Sequence, residues 1–115
     1  MMKRGLIAGA DPSVVAALQV MLYGQVCIDS LREGSGAELL GAVSRRTYDW
    51  VMVEESGNSH LDRDALAALA SRTHVIVVSS HDREAATGLE SQAIYLEKDA
   101  RLSERLKTVQ QVTVH

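Results

Sequence analysis

Cysteine and proline are nearly absent from this chain, which has one of each among its 115 residues. The single cysteine, Cys27, has no partner for an intramolecular disulfide and lies in a short apolar run. This excludes a disulfide-stabilised secreted scaffold and favours a reducing compartment, with Cys27 in the core rather than acting as a nucleophile. A single proline together with 46% hydrophobic residues indicates an ordered globular domain rather than a disordered segment.

An excess of basic charge is also missing. Twelve Lys and Arg stand against fifteen Asp and Glu, a net charge of −3, and the basic residues are scattered along the chain. We therefore expect no nucleic-acid binding by this domain alone. The apolar run before Asp11 is short, so we expect neither a signal peptide nor a membrane span, and we predict a cytoplasmic protein. Glycine-rich nucleotide-binding patterns are absent, which argues against a nucleotide site.

The length of the chain predicts one domain over residues 1–115, because two independent cores would not fit in it. Whether an output domain follows in a longer regulatory protein is left open. Short apolar runs predict five strands, at 6–8, 26–28, 50–53, 75–78 and 93–96.

Helices are predicted between and after these strands. Asp11 before Pro12 is typical of a helix start, Ser35 with Glu38 forms a capping box, and Asp62 or Asp64 can cap a third helix. A short helix is predicted over 84–89, and a closing helix has Leu102, Leu106 and Val109 on its apolar face. This alternation predicts a parallel sheet with helices on both faces, whose functional residues gather at the carboxyl ends of the strands.

Three segments at these strand ends carry a resemblance to a known family. Residues 48–54 (Tyr-Asp-Trp-Val-Met-Val-Glu) resemble the third strand of bacterial response-regulator receiver domains, with Glu54 at the position of the phospho-accepting aspartate. Ser79 stands where the family has Thr or Ser, and residues 95–98 place Tyr95 at the switch aromatic and Lys98 at the family's lysine. The 45 residues from Gly9 to Glu54 fit the family's spacing. The resemblance implies a single doubly wound (βα)5 flavodoxin-like domain with a five-stranded parallel sheet in the order 2-1-3-4-5.

Two departures from the family pattern concern phosphoryl transfer. Receivers place two adjacent acids at the end of the first strand to hold Mg²⁺, whereas this chain has Gly9 and Ala10 there. Glu54 is also one methylene longer than aspartate, and a misplacement of about 1 Å can cost on the order of 100-fold in rate. We therefore expect no metal site, no cofactor and no catalytic residue in this domain.

The remaining polar residues suggest a site without a metal. We hypothesise that Glu54 reaches toward Lys98 and Ser79 as a phosphorylated aspartate would, which would hold the domain near one conformation. Plainer alternatives stay open at this stage. Glu54 and Glu55 would be solvated carboxylates at a strand end, Lys98 a surface lysine, and Tyr95 a half-buried strand residue.

The sequence therefore predicts a phosphorylation-independent, receiver-like signalling domain, a pseudo-receiver. It would act through a protein partner, an output domain or a homodimer, and it would not be an enzyme. One alternative is a receiver that is weakly phosphorylated at Glu54. Another is a flavodoxin-like domain that binds a small ligand in the crevice at the strand ends.

Overall fold

A computed structural model of the chain describes residues 2–32, 35–55, 62–79, 93–97 and 100–114. Within these residues, strands and helices follow one another along the chain as β1 (Lys3–Ala8), α1 (Pro12–Met21), β2 (Val26–Leu31), α2 (Gly36–Arg45), β3 (Trp50–Glu54), α3 (Arg63–Ala70), β4 (His74–Ser79), β5 (Ile94–Glu97) and α4 (Leu102–Val114). The helix predicted over 84–89 falls outside the described residues. None of the described helices has the length and apolar character needed to cross a membrane.

The five strands form one sheet in the order β2-β1-β3-β4-β5, and every neighbouring pair is parallel. The predicted flavodoxin-like order is confirmed. Strands β1, β3 and β4 each have a strand on both sides, and their buried residues form apolar runs, as expected of strands that are covered on both faces. Strands β2 and β5 form the edges.

Side-chain alternation divides the core into two layers. In β3, Trp50 and Met52 pack into the layer formed with α1 and α4, whereas Val51 and Val53 pack into the layer formed with α2 and α3. Because successive strand residues point to opposite faces, Glu54 continues the side of Trp50 and Met52. The end of β3 therefore presents Glu54 toward the α1 and α4 side of the sheet.

Three helix starts match the predicted caps. Asp11 accepts a hydrogen bond from the backbone N–H of Ser13 at 2.9 Å, and the Ser13 hydroxyl donates to the same oxygen at 2.8 Å. The backbone and hydroxyl donors of Ser13 lower the pKa of the Asp11 carboxyl. Ser35 Oγ accepts from the N–H of Glu38 at 3.3 Å. Asp62, rather than Asp64, caps α3 by accepting from the N–H of Ala65 at 2.7 Å.

The prediction for Cys27 is wrong, since its side chain is exposed. Val26 and Ile28 point into the α1 and α4 layer, so Cys27 points to the opposite face. That face of the edge strand β2 is left uncovered at this position. An apolar run on an edge strand therefore does not imply burial on both sides.

A polar cluster joins β2 to the helix layer. The hydroxyl of Tyr48 donates to Asp29 Oδ2 at 2.7 Å, and the guanidinium groups of Arg46 and Arg4 lie 3.3 Å and 3.5 Å from the same oxygen. Burial, followed by this hydrogen bond, raises the pKa of Tyr48 above its ordinary value. The cluster fixes the position of α2 relative to the edge strand.

Trp50 is fully buried and lies directly over a glycine of the neighbouring strand. Gly5 and Trp50 are register partners in β1 and β3. A Cβ added to Gly5 would overlap the indole ring. The absence of a side chain at Gly5 is therefore what allows the tryptophan to lie flat in the core.

We expect Gly5→Ala to lower the free energy of unfolding by about 2–3 kcal/mol, because the new methyl group forces the indole or the strand to move. Gly41→Ala is the matched control. A Cβ at Gly41, within α2, would meet only the Arg45 side chain, at 3.9 Å, so this change should raise stability by about 0.5–1 kcal/mol. Urea denaturation measures both, and equal effects of the two substitutions would contradict the packing account.

Candidate functional site

The carboxyl edge of the sheet brings the predicted site positions close together. Ala8 is the register partner of Val53, so Gly9 follows β1 beside Glu54 at the end of β3. The N–H of Gly9 donates to the carbonyl of Leu31 at 3.1 Å, and its φ of 78° lies in the left-handed region that favours glycine. The backbone at this position thus suits glycine better than the acid expected in a receiver.

The donor set at the end of β1 does not fit Mg²⁺, which requires oxygen ligands. Gly9 and Ala10 carry no side-chain oxygen, and Ala10 packs against the α1 and α4 layer. The carboxyl of Asp11, one position later, is engaged by Ser13 as the helix cap. Within the described parts of the chain, no three His, Cys, Asp or Glu side chains are grouped so as to hold a metal ion.

Glu54 is held by a cation from the last helix. Its Oε1 lies 2.9 Å from Nη2 of Arg105, and both side chains are largely buried, with 14% of Glu54 and 5% of Arg105 exposed. The geometry is that of a charge-assisted hydrogen bond in a region screened from water. The alternative in which Glu54 is a solvated strand-end carboxylate is therefore wrong.

Further contacts hold the Arg105 guanidinium in place. Its Nε donates to the carbonyl of Ala100 at 3.4 Å, and Nη1 lies 3.9 Å from Sδ of Met52. The pair thus joins the end of β3 to the first turn of α4, over the apolar layer formed by Met52 and its neighbours.

The second oxygen of Glu54 is enclosed as well. Oε2 is buried and has no hydrogen-bond partner among the described residues. A buried carboxylate oxygen that lacks a hydrogen-bond donor lowers the stability of the folded state. Among the described contacts, the pairing of Oε1 with Arg105 is the one that stabilises the negative charge of Glu54. The carboxylate is oriented toward α4 rather than toward bulk solvent.

Sequence analysis missed Arg105. Arg105 lies on the same helical stripe as three apolar residues: Leu102 is three residues before it, and Val109 and Val112 are four and seven residues after it. A charged residue on an apolar stripe is rarely buried without a partner. That spacing could have drawn attention to Arg105, but it could not have identified Glu54 as its partner.

The other predicted site residues lie toward the opposite layer. Ser79 ends β4 as the register partner of Glu97 and continues the side of Val75 and Val77. Tyr95 is half-buried and packs against the α2 and α3 layer. Lys98 lies outside the described residues, so the predicted pairing of Glu54 with Lys98 stays a prediction.

Glu55 departs from its expected role as a solvated carboxylate. Its side chain is buried, and its backbone N–H donates to the carbonyl of Val78 at 2.8 Å, which extends the β3 and β4 ladder. Strand alternation then places Glu55 on the side of Ser79 and Glu54 on the side of Arg105. Glu54 and Glu55 therefore lie on opposite faces of the sheet.

Several solved structures that are similar to this one are described as receiver domains. The signal receiver domain of the response regulator NarL from Mycobacterium tuberculosis matches with a TM-score of 0.74 at 20% identity, over 99% of this chain and 98% of that one. The chain has the receiver-domain fold. The beryllofluoride-activated receiver domains of NtrC (TM-score 0.73, 23% identity, 100% and 97% covered) and of DrrB (TM-score 0.74, 16% identity, 100% of both chains) match as well.

Sequence comparison adds nothing to this structural likeness. No protein-family model matches the chain, and no curated protein matches it either. In this receiver fold, the end of β3 carries a buried Glu54–Arg105 ion pair beside a first strand that ends without acids.

We expect Arg105→Met to lower the free energy of unfolding by about 3 kcal/mol or more, because it leaves the Glu54 carboxylate buried without its cation. Arg101→Met, which removes an exposed arginine just before the same helix, should change stability by less than about 0.5 kcal/mol. Adding Glu54→Leu to Arg105→Met should recover part of the loss. Chemical denaturation of the original chain, Arg105→Met, Glu54→Leu and the double variant measures the double-mutant cycle, with Arg101→Met as the control. Similar costs for Arg105→Met and Arg101→Met would contradict a stabilising ion pair.

Proposed function

We propose that this domain is a receiver-like signalling module that works without phosphorylation and catalyses no reaction. It acts in the cytoplasm through contact with another protein, an output domain or a second copy of itself. The observation that carries the proposal is the buried ion pair between Glu54, at the position of the phospho-accepting aspartate, and Arg105 of α4.

Phosphoryl transfer to a carboxylate requires an accessible oxygen and a cation that neutralises the phosphoryl group. Both requirements are poorly met at Glu54. One oxygen is bound to Arg105 at 2.9 Å and the other is enclosed, and the neighbouring strand end offers Gly9 and Ala10 in place of metal-binding acids. These features support a site that does not accept phosphate.

The ion pair also supplies a link that depends on no phosphate. It connects the end of β3 to α4 through a guanidinium that contacts Glu54, Met52 and the carbonyl of Ala100. Since both charges belong to the chain itself, the link does not require the domain to be phosphorylated. Helix α4 would then be held in one constant position relative to the sheet.

The test is a two-dimensional amide NMR titration with Mg²⁺ alone and then with beryllofluoride, a mimic of the phosphoryl group. We expect no saturable shifts near Glu54 and Ser79 at millimolar Mg²⁺, because the donor set does not fit the ion. The NtrC receiver, solved in its beryllofluoride-activated form, serves as the positive control.

A variant with receiver-like residues at the candidate site provides a second comparison. Ala10→Asp, Glu54→Asp and Arg105→Met together return an acid to the end of β1, shorten the acceptor and remove the competing cation. Gly9 stays unchanged, because its φ of 78° would strain a substituted residue. This triple variant should show Mg²⁺-dependent shifts that the original chain lacks.

Saturable, site-localised shifts in the original chain would overturn the proposal and favour a weakly phosphorylated receiver. Shifts or thermal stabilisation caused by a small molecule that co-purifies with the chain would instead favour the flavodoxin-like ligand-binding alternative.

A further inference from the structure

Strand β2 is an edge of the sheet, and one side of its backbone faces away from β1. The N–H of Gly9 donates to the carbonyl of Leu31 at 3.1 Å, so the backbone polar groups of Leu31 point toward β1. Because the polar groups of successive strand residues point to opposite sides, those of Val26, Ile28 and Ser30 point to the open side. We call these three the outward residues of β2. An open edge of this kind is a template on which a further strand can pair.

Helix α1 and the turn after it occupy two of these outward groups. The side-chain Nε2 of Gln19, an exposed residue of α1, donates to the carbonyl of Ile28 at 3.2 Å. The N–H of Val26 donates to the carbonyl of Leu22 at 3.0 Å. The outward N–H and C=O of Ser30 have no such contact among the described residues. The edge is therefore closed at two of its three outward residues.

The two contacts interfere with strand addition because of the way in which antiparallel strands pair. An added antiparallel strand bonds to both the N–H and the C=O of each outward residue that it faces. At Val26 the N–H is taken, and at Ile28 the C=O is taken. Ser30 alone among the three offers both groups. A strand that paired along β2 would thus have to displace the Gln19 amide from the middle outward residue.

Gln19 is the part of this arrangement that a substitution can remove. The Leu22 carbonyl belongs to the backbone of the turn, and the Leu22 side chain is buried in the core. Gln19 is exposed, and its amide reaches across from the helix to the strand edge. Replacing it frees the carbonyl of Ile28 and leaves the turn and the core as they are.

We propose that the Gln19 side chain blocks the outer edge of β2 against pairing with β2 of a second copy of this domain. A twofold axis beside the edge places the two β2 strands antiparallel, so each copy contributes the same outward groups, and the carbonyl of Ile28 is needed from both. Any self-association of the domain then uses another surface. The proposal does not depend on the Glu54–Arg105 pair, and the Mg²⁺ titration does not report on it, so the two proposals can fail separately.

Paramagnetic relaxation between two copies detects weak association through β2. One copy carries a nitroxide on Cys27, which is the only cysteine of the chain and is exposed on this strand. The other copy is isotope-labelled for amide NMR and has Cys27→Ser. Both copies carry the same residue at position 19. Gln19→Ala should keep α1 helical, since alanine has the highest helix propensity.

In the original chain, we expect the nitroxide copy to broaden the β2 amides no more than free nitroxide does. Gln19→Ala should raise the paired population roughly tenfold or more, because a symmetric pair regains one carbonyl acceptor from each copy. The broadening should fall on the amides of β2. Gln111→Ala, which replaces an exposed glutamine of α4, is the matched control and should behave as the original chain does.

Ser30→Pro tests the location of the pairing. It replaces the outward N–H of Ser30 with a ring carbon and leaves the bonds between β1 and β2 intact. Added to Gln19→Ala, it should remove the broadening.

The proposal is wrong if Gln19→Ala and the original chain give equal broadening, including none in either, or if Gln111→Ala gives as much as Gln19→Ala. Broadening in Gln19→Ala that lies outside β2, or that Ser30→Pro does not reduce, would overturn it too, because the copies would then associate through another surface.

Discussion

The ion pair between Glu54 and Arg105 joins the end of the middle strand to α4. Burying two charges costs several kcal/mol in desolvation unless the geometry is good and the remaining donors are satisfied. Here the guanidinium meets the carboxylate at 2.9 Å and also donates to the carbonyl of Ala100. Removing either charge would leave the other in an apolar layer beside Met52. The pair therefore restricts where α4 can lie, and it does so with residues of the chain alone.

The two ends of the sheet carry different sets of polar side chains. At the carboxyl end, Gly9 and Ala10 follow β1, and the neighbouring strand β3 ends with the Glu54 carboxylate, which is paired with Arg105. Among the described residues, the cation at this carboxylate is the guanidinium of Arg105. At the amino end, Asp29 and Asp49 are engaged by arginine and lysine, and uncharged α1 ends in exposed apolar side chains.

Local sequence patterns predicted most of the fold. The β-branched run at 75–78 and the caps at Asp11, Ser35 and Asp62 each depend on neighbours in the chain, and each was found where it was expected. The position of Glu54 at the end of β3 was also predicted. Its partner was not, because Arg105 is 51 residues away and only the packing of α4 brings them together. Cys27 and Glu55 were misjudged for a related reason. Their exposure depends on which face of a strand a helix covers, and the two-residue period of a strand does not contain that information.

Hydrogen exchange of the α4 amides tests most directly whether the pair holds this helix in place. In the original chain, without Mg²⁺ or a phosphoryl donor, we predict that amides in the first turns of α4 are well protected. Glu54→Gln should speed their exchange by about tenfold or more, which corresponds to about 1.4 kcal/mol, and should leave β1 and β3 largely unaffected. Glu104→Gln, which neutralises an exposed acid on the same helix, should leave α4 protected. Equal protection of α4 in the original chain and in Glu54→Gln would contradict the account.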